Sequence, residues 1–269
     1  MIKKLLSTAL LLAHVGLPTQ AQDQFGIPVS GEFLTGWQQA DGTRVAAVKL
    51  TLEDGWKTYW RAPGDTGIPP HFDWSGSANL RGIGIQWPAP SVFREPGLTT
   101  IGYKNELILP ITVAPRENGK PVKLNAILDI GVCSDVCVPQ RLQIDVVLDS
   151  TASRPTPAIA AALAQRPFSA SEAGVHSATC TLRPTDRGFE IRTQVTVPSA
   201  GGRELVVIEA GQPDIWVSET DTTRSGRVIT SIADMEHTGG GTFGIDRSAV
   251  RITVLGSKHA VDIRGCTPG

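Results

Sequence analysis

The sequence lacks several features that mark common classes of protein. Its formal net charge is only −1, from 25 Lys and Arg against 26 Asp and Glu, so it has no basic excess of the kind that nucleic-acid binding needs. Charged residues make up 19% of the chain and hydrophobic residues 41%, which argues against disorder and against a coiled coil. After residue 22 no apolar run is long enough to span a bilayer. We therefore expect a soluble, globular protein that binds no nucleic acid.

The N-terminus has the pattern of an export signal. Lys3 and Lys4 give it a positive start, residues 5–17 are mostly apolar, and Ala21 is a small residue of the kind that precedes a signal-peptidase cut. The apolar run is shorter than the roughly 20 residues that a membrane anchor needs. We expect residues 1–21 to be a signal peptide cleaved near Ala21, and the mature protein to be in the periplasm. In that oxidising compartment, cysteines are first of all candidates for disulfides.

The rest of the chain has the pattern of a β protein. Its 28 glycines and 19 prolines suit many turns. Residues 45–52 alternate between apolar and less apolar side chains, as a half-buried strand does. Similar short runs bounded by turn residues predict further strands. The predicted strands are 45–52, 81–87, 106–113, 123–130, 141–148, 189–197, 204–209, 215–219, 227–232 and 250–255.

Residues 151–170 differ from the segments on either side. Pro157 suits a first helical turn, residues 158–165 are rich in alanine, and Pro167 ends the pattern. We predict a short helix that links two domains, at residues 22–150 and 171–269. The fold class expected is all-β, with two immunoglobulin-like β-sandwich domains joined by this Ala-rich helical linker.

The four cysteines form two pairs by position. Cys180 and Cys266 lie at the two ends of the second block. A bond between them would close a large loop and stabilise the domain by roughly 4–5 kcal/mol in the chain-entropy model. We expect a structural disulfide here, with a second redox pair or two free thiols as the alternatives.

The other pair, Cys133 and Cys137, lies in a loop between two predicted strands. On an extended strand these residues would be about 13 Å apart, so a bond between them requires a turn. A disulfide that closes so small a loop adds little stability, and exposed disulfides are the labile ones. The hypothesis is thiol–disulfide exchange. An inert surface disulfide and a two-thiolate Cu(I) site are the alternatives.

The surroundings of the two thiols suggest different roles for them. Asp135 lies between them and disfavours thiolate formation at both by like-charge repulsion. Cys133 follows an apolar strand and is expected to be buried, whereas Cys137 leads outward into Val138. We interpret Cys137 as the sulfur that faces a partner and Cys133 as the resolving sulfur.

Five segments in the first block carry a resemblance to a known family: GWKTYWRAPGDTGIPP (55–70), FDWSGS (72–77), WPAP (87–90), IGYK (101–104) and CSDVCVP (133–139). The chain resembles the N-terminal periplasmic domain of the DsbD family of thiol:disulfide interchange proteins, and most closely its ScsB (suppressor of copper sensitivity) branch. The resemblance covers residues from about 30 to 150, and the second block matches only in general character.

The resemblance implies a function for the near pair. In the family, the two cysteines shuttle between dithiol and disulfide, and the second of them faces the partner, which here is Cys137. Electrons come from a membrane-embedded relay and pass to periplasmic thioredoxin-fold proteins, with neither an organic cofactor nor a metal. Because family members continue into a membrane domain and this chain ends at Gly269, we expect the relay to be a separate polypeptide. The cysteines here are separated by three residues, as in the ScsB branch, rather than by five.

Supporting residues are expected in the long aromatic motif. Tyr59 and Trp60 are candidates either for core packing or for support of the cysteine pair. Asp65 either caps its turn or tunes thiol acidity. The sequence thus predicts a component of a protein-disulfide reductase system. The alternative is a non-catalytic periplasmic binding module linked to copper tolerance, whose cysteines are structural or bind Cu(I).

Overall fold

The computed structural model describes residues 28–64, 66–149 and 152–269. The predicted signal peptide, residues 1–21 with its cut near Ala21, and the candidate residue Asp65 lie outside the described residues. Within them the protein is almost entirely β, with one short helix, so the predicted all-β fold of two sandwiches is confirmed.

The first sandwich consists of two sheets. Sheet 1 has the strand order β1-β2-β8-β5, and sheet 2 has the order β10-β9-β3-β7-β6, with β4 paired to β9. The strands are β1 (Val29–Gln38), β2 (Arg44–Leu52), β3 (Lys57–Gly64), β4 (His71–Asp73), β5 (Leu80–Ile85), β6 (Ser91–Glu95), β7 (Leu98–Lys104), β8 (Glu106–Pro115), β9 (Val122–Cys133) and β10 (Cys137–Leu148).

The core of this sandwich lies between the two sheets. Val48 and Leu109 from sheet 1 pack in one cluster with Trp60 and Leu128 from sheet 2, and all four are buried. In β9 the even-numbered residues from 122 to 132 point into the core, as the two-residue period of a strand requires. The odd-numbered residues of β9, including its last one, therefore lie on the outer face of sheet 2.

The helix α1 (Pro157–Ala164) begins with proline at its first turn, as predicted. It packs on the outer face of sheet 1, where its buried Ile159 contacts a cluster that includes Val45 and Ala47. This contact explains why these two β2 residues are buried although they point away from the core. The linking segment is thus attached to the first sandwich.

The second sandwich has the same architecture. Sheet 3 has the order β11-β19-β18-β14, and sheet 4 has the order β15-β17-β13-β12-β20, with β16 paired to β17. The strands are β11 (Phe168–Ser169), β12 (Ser177–Pro184), β13 (Gly188–Thr196), β14 (Leu205–Glu209), β15 (Ile215–Val217), β16 (Asp221–Ser225), β17 (Val228–His237), β18 (Arg251–Leu255), β19 (Ala260–Arg264) and β20 (Thr267–Pro268).

The two sandwiches contact each other through both apolar and polar groups. Leu205, Leu255 and Ala260 of sheet 3 belong to the same buried cluster as the core of the first sandwich. A groove of about 720 Å³ runs beside this contact, lined from one side by residues 61–64 and from the other by β14 and β15. In the described part of the chain, no helix is both long and apolar enough to cross a membrane.

Candidate redox site

The Cys133–Cys137 pair closes a β-hairpin. Cys133 ends β9 and Cys137 begins β10, and the antiparallel register places the two residues directly opposite each other. The Ser134 N–H donates to the Val136 carbonyl at 3.0 Å and closes the turn between them. The two Cα atoms are 4.1 Å apart and the sulfurs are bonded. The turn that a bond requires is therefore the turn of the hairpin itself.

The two sulfurs differ in exposure. Cys133 is only 1% exposed, whereas Cys137 and the three turn residues, including Asp135, are exposed. Val136 is 42% exposed at the tip of the hairpin, beside Cys137. An incoming thiolate can therefore reach the sulfur of Cys137 from solvent, and the sulfur of Cys133 is shielded.

Tyr59 is the group that contacts the shielded sulfur. Its hydroxyl donates to Cys133 Sγ at 2.8 Å and lies 3.4 Å from Cys137 Sγ. Because Cys133 is an odd-numbered residue of β9, it points away from the sandwich core, so its burial comes from such covering groups on the outer face of sheet 2. Burial, together with the negative charge of Glu95, raises the pKa of Tyr59 above its ordinary value. The phenol therefore remains a proton donor at neutral pH.

Two glycines make room for the Tyr59 ring. A Cβ at Gly131 would lie 3.1 Å from Tyr59 Cδ2 and 2.7 Å from Ile68 Cβ. A Cβ at Gly67 would lie 2.9 Å from Tyr59 Cδ1. The ring thus lies between β9 and the segment that follows β3, with the 38% exposed Ile68 over Gly131. Gly67 and Ile68 are part of the aromatic motif, but no role was predicted for them or for Gly131.

Strand β3 holds Tyr59 in place through a short pairing with β9. Lys57 pairs with Cys133 and Thr58 with Val132, and these are the pairs that join β3 to β9. The Thr58 hydroxyl also donates to the Gly131 carbonyl at 2.9 Å. The backbone next to Tyr59 is therefore fixed directly against the end of β9 that carries the disulfide.

Trp60 faces the opposite way from Tyr59. It is completely buried in the core of the first sandwich, where it packs with the apolar residues of both sheets. Its indole N–H has no hydrogen-bond partner among the described residues, and the guanidinium of Arg61 lies 3.9 Å from its ring centre. The structure therefore brings Tyr59 to the cysteines and places Trp60 in the core.

The second disulfide has different surroundings. Cys180, which is 1% exposed on β12, is bonded to Cys266 near the C-terminus, with a Cα–Cα distance of 5.7 Å. Beyond this bond, β20 pairs in parallel with β12 and places Pro268 beside Cys180. The bond thus fixes the end of the chain to a strand of sheet 4. No group of three or more His, Cys, Asp or Glu side chains suited to holding a metal ion occurs within the described ranges.

An exposed cysteine bonded to a shielded one, at the end of a sandwich strand, suits the class of thiol–disulfide interchange domains, because exposed disulfides are the labile ones. Comparison with protein families agrees with this class. Residues 29–148 match the family of the N-terminal domain of the thiol:disulfide interchange protein DsbD. The predicted resemblance to the DsbD N-terminal domain is therefore confirmed for the first sandwich, and the match ends before α1.

A solved structure extends the likeness to both sandwiches. The chain is similar to the N-terminal periplasmic domain of ScsB from Proteus mirabilis, with a TM-score of 0.64 and 19% sequence identity. The alignment covers 90% of this chain and 92% of the ScsB chain, so the tandem arrangement of two sandwiches is common to both. A comparison with curated protein sequences finds no match.

Proposed function

We propose that this protein exchanges thiols and disulfides through Cys133 and Cys137. It would pass electrons between a membrane relay and thioredoxin-fold partners, as a component of a protein-disulfide reductase system. The observation that carries the proposal is the difference in exposure between two bonded sulfurs, with Cys133 1% exposed and Cys137 open to solvent. An exchanging disulfide needs one accessible sulfur, and the difference in exposure directs a partner to Cys137.

The reaction consists of two thiol–disulfide exchanges. In the reduced protein the Cys137 thiolate attacks a partner disulfide, forms a mixed disulfide and releases one partner sulfur as a thiolate, which takes up a proton. The Cys133 thiolate then attacks Cys137 Sγ, which forms the Cys133–Cys137 bond and releases the second partner sulfur. Two electrons pass to the partner. The relay reverses these steps and restores the dithiol.

Tyr59 is proposed to stabilise Cys133 when that sulfur carries charge. Its hydroxyl already lies 2.8 Å from Cys133 Sγ in the disulfide form. A hydrogen bond to a thiolate is stronger than one to a bonded sulfur, because the acceptor is ionised. The same donor would therefore favour Cys133 as the leaving group when a thiolate attacks Cys137. In this proposal Trp60 supports the site only through the core, and Asp135 acts through its charge in the exposed turn.

The location proposed is the periplasm. The similar ScsB domain is described as periplasmic. A disulfide open to solvent, together with a second one that fixes the C-terminus, suits an oxidising compartment. Fractionation of cells that produce the full chain, with N-terminal sequencing of the product, tests both this location and the cut near Ala21.

A redox titration of the purified protein tests the exchange function. Thiols are labelled across a series of redox buffers, and peptide mass spectrometry reads each pair. We expect Cys133–Cys137 to reduce reversibly under mild conditions while Cys180–Cys266 remains closed. If both pairs resist reduction alike, the near pair is structural. Stoichiometric Cu(I) uptake by the reduced protein that is lost in Cys133→Ser would then identify the copper-linked binding module.

A further inference from the structure

Strand β3 leaves its sheet immediately after Tyr59. Tyr59 pairs with Gly102 of β7, and the next pair along the two strands is Gly64 with Thr100. Residues 60–63 of β3 thus lie opposite a single residue of β7, Ile101, so the backbone of β3 forms a bulge. A Cβ at Gly102 would lie 2.0 Å from the Thr58 carbonyl oxygen, so glycine is required where the two strands pack beside the bulge. The bulge carries Arg61 toward the second sandwich.

Arg61 is bound by the second sandwich. Its Nε and Nη2 each donate at 3.0 Å to one oxygen of the Glu209 carboxylate, at the end of β14. Nη2 also donates to the Thr253 hydroxyl at 3.3 Å. Asp262 lies 4.0 Å from the same nitrogen and is itself held by Arg251. Three strands of sheet 3 therefore converge on one side chain of the first sandwich.

The burial of this ion pair makes its geometry specific. The Arg61 and Glu209 side chains are 13% and 25% exposed. Desolvation lowers the pKa of Arg61, and the Glu209 carboxylate opposes this effect. The guanidinium lies between the Trp60 ring and Glu209, and loss of the Glu209 carboxylate would leave a mostly buried charge without its partner, which is strongly destabilising. Residue 61 is thus fixed relative to sheet 3.

Tyr59 lies between two fixed points. On its N-terminal side, β3 pairs with β9 at Lys57 and Thr58, and these pairs end before Tyr59. On its C-terminal side, the next strong polar attachment is the Arg61–Glu209 pair. The backbone of Tyr59 is itself paired with Gly102 of β7, and the position of its hydroxyl on Cys133 Sγ depends on these two flanking attachments as well.

We propose that Arg61 is a positioning residue through which the second sandwich holds Tyr59 against Cys133. The inference rests on the proposed exchange function and assigns the second sandwich a part in it. Without the Glu209 carboxylate, the bulge is free to shift and the Tyr59 hydroxyl loses its fixed distance from Cys133 Sγ. Departure of Cys133 as a thiolate then becomes slower, and the dithiol becomes less favoured relative to the disulfide.

A double-mutant cycle on the full mature chain tests this proposal. The variants are Glu209→Gln, Tyr59→Phe and the two combined. The measurement is the rate constant for reduction of Cys133–Cys137 by dithiothreitol, with the reduction potential determined in parallel. We expect Glu209→Gln to slow reduction about three- to tenfold in the wild-type background. In the Tyr59→Phe background the same change should alter the rate less than about twofold, because the effects of coupled residues are not additive.

A matched variant controls for the loss of an ion pair as such. Glu190→Gln removes the Arg183–Glu190 pair, which lies within the second sandwich, and its reduction rate should remain within about twofold of wild type. Arg61→Lys keeps the charge but not the two-point contact, so it should slow reduction less than Glu209→Gln does. Thermal unfolding of each variant shows that it is folded at the temperature of the assay.

The possible outcomes separate the two proposals. An equal slowing by Glu209→Gln in both backgrounds, or no slowing in either, overturns the role of Arg61 and leaves the exchange function standing. A wild-type Cys133–Cys137 bond that resists reduction as Cys180–Cys266 does overturns both. Slowing that occurs only when Tyr59 is present supports the positioning role.

Discussion

The two disulfides of this protein differ in the length of chain that they close and in their exposure to solvent. Cys133–Cys137 joins residues that are 4 apart in sequence and already paired in a hairpin, whereas Cys180–Cys266 joins residues that are 86 apart. In the chain-entropy model, these loops correspond to about 2 and about 4.6 kcal/mol of stabilisation. The short bond has an exposed sulfur, and the long one fixes the chain end to β12. Under the proposed function, stability and reactivity thus belong to different sandwiches.

Removal of the cysteines in turn separates the roles of the two disulfides. We expect Cys137→Ser to abolish electron transfer to a thioredoxin-fold partner, because no accessible sulfur remains. Cys133→Ser should stop the reaction at the mixed disulfide, which is visible as a covalent adduct on a non-reducing gel. Cys180→Ala with Cys266→Ala should leave transfer intact. Transfer that survives Cys137→Ser would contradict the assignment.

The second comparison concerns stability. Replacing Cys180 and Cys266 by alanine should lower the free energy of unfolding of the second sandwich by about 4 kcal/mol. Replacing Cys133 and Cys137 should lower that of the first by about 2 kcal/mol or less, since the hairpin register already holds these residues together. Denaturant unfolding followed by fluorescence measures both, and equal losses would refute the division of roles.

The third prediction concerns the Tyr59 hydroxyl, which lies closer to the sulfur of Cys133 than to that of Cys137. Tyr59→Phe removes the hydroxyl that lies 2.8 Å from Cys133 Sγ and keeps the ring that fills the space over Gly131. We expect reduction by dithiothreitol to slow about tenfold, because a hydrogen bond to a charged group contributes roughly 1.5–3 kcal/mol. Trp74→Phe, which changes an aromatic residue of the same sandwich away from Tyr59, is the control. An unchanged rate in Tyr59→Phe would show that the hydroxyl does not act on the leaving sulfur.

The smallest effect is expected at the exposed turn. Asp135 places a negative charge between the two thiols, and Asp135→Asn removes it without a change in size. Alkylation of the reduced Cys137 by iodoacetamide at neutral pH should accelerate about two- to threefold, and less at high salt, because the interaction is through solvent. A rate that does not depend on salt would show that the charge plays no part.

The structure also shows which features the sequence could reveal. Alternation in residues 45–52 and the apolar run before Cys133 correctly predicted β2 and β9, because successive side chains of a strand point to opposite faces. The alternation did not show that α1 also buries Val45 and Ala47 on the outer face of β2. Strand β3 was missed, since its buried residues Thr58, Tyr59 and Trp60 are consecutive. Trp60 is buried by the core of the sandwich, whereas Tyr59 is buried on the opposite face by the segment that follows β3. The sequence of β3 therefore lacks the two-residue alternation of apolar and polar side chains that marks a half-buried strand.

The contacts of the site could not be predicted because they join distant parts of the chain. The Tyr59 hydroxyl meets Cys133 across 74 residues, and Arg61 meets Glu209 across 148. Cys133 was expected to be buried because it follows an apolar strand, yet its side chain points out of the core and is covered by Tyr59. Each of these facts depends on which strands become neighbours, and that is set by the fold as a whole.

The packing of α1 on sheet 1 determines where the first sandwich can be separated from the second. Ile159 covers a surface formed by Val45 and Ala47, with Leu34 and Trp37 beside it. A fragment ending at residue 150 would leave this surface bare, and self-association would be its natural outcome. A fragment that continues through α1 to residue 166 keeps the surface covered. A fragment of the first sandwich therefore has to include α1 as well as its two sheets, and it still loses the contacts that Leu205, Leu255 and Glu209 of sheet 3 make with it.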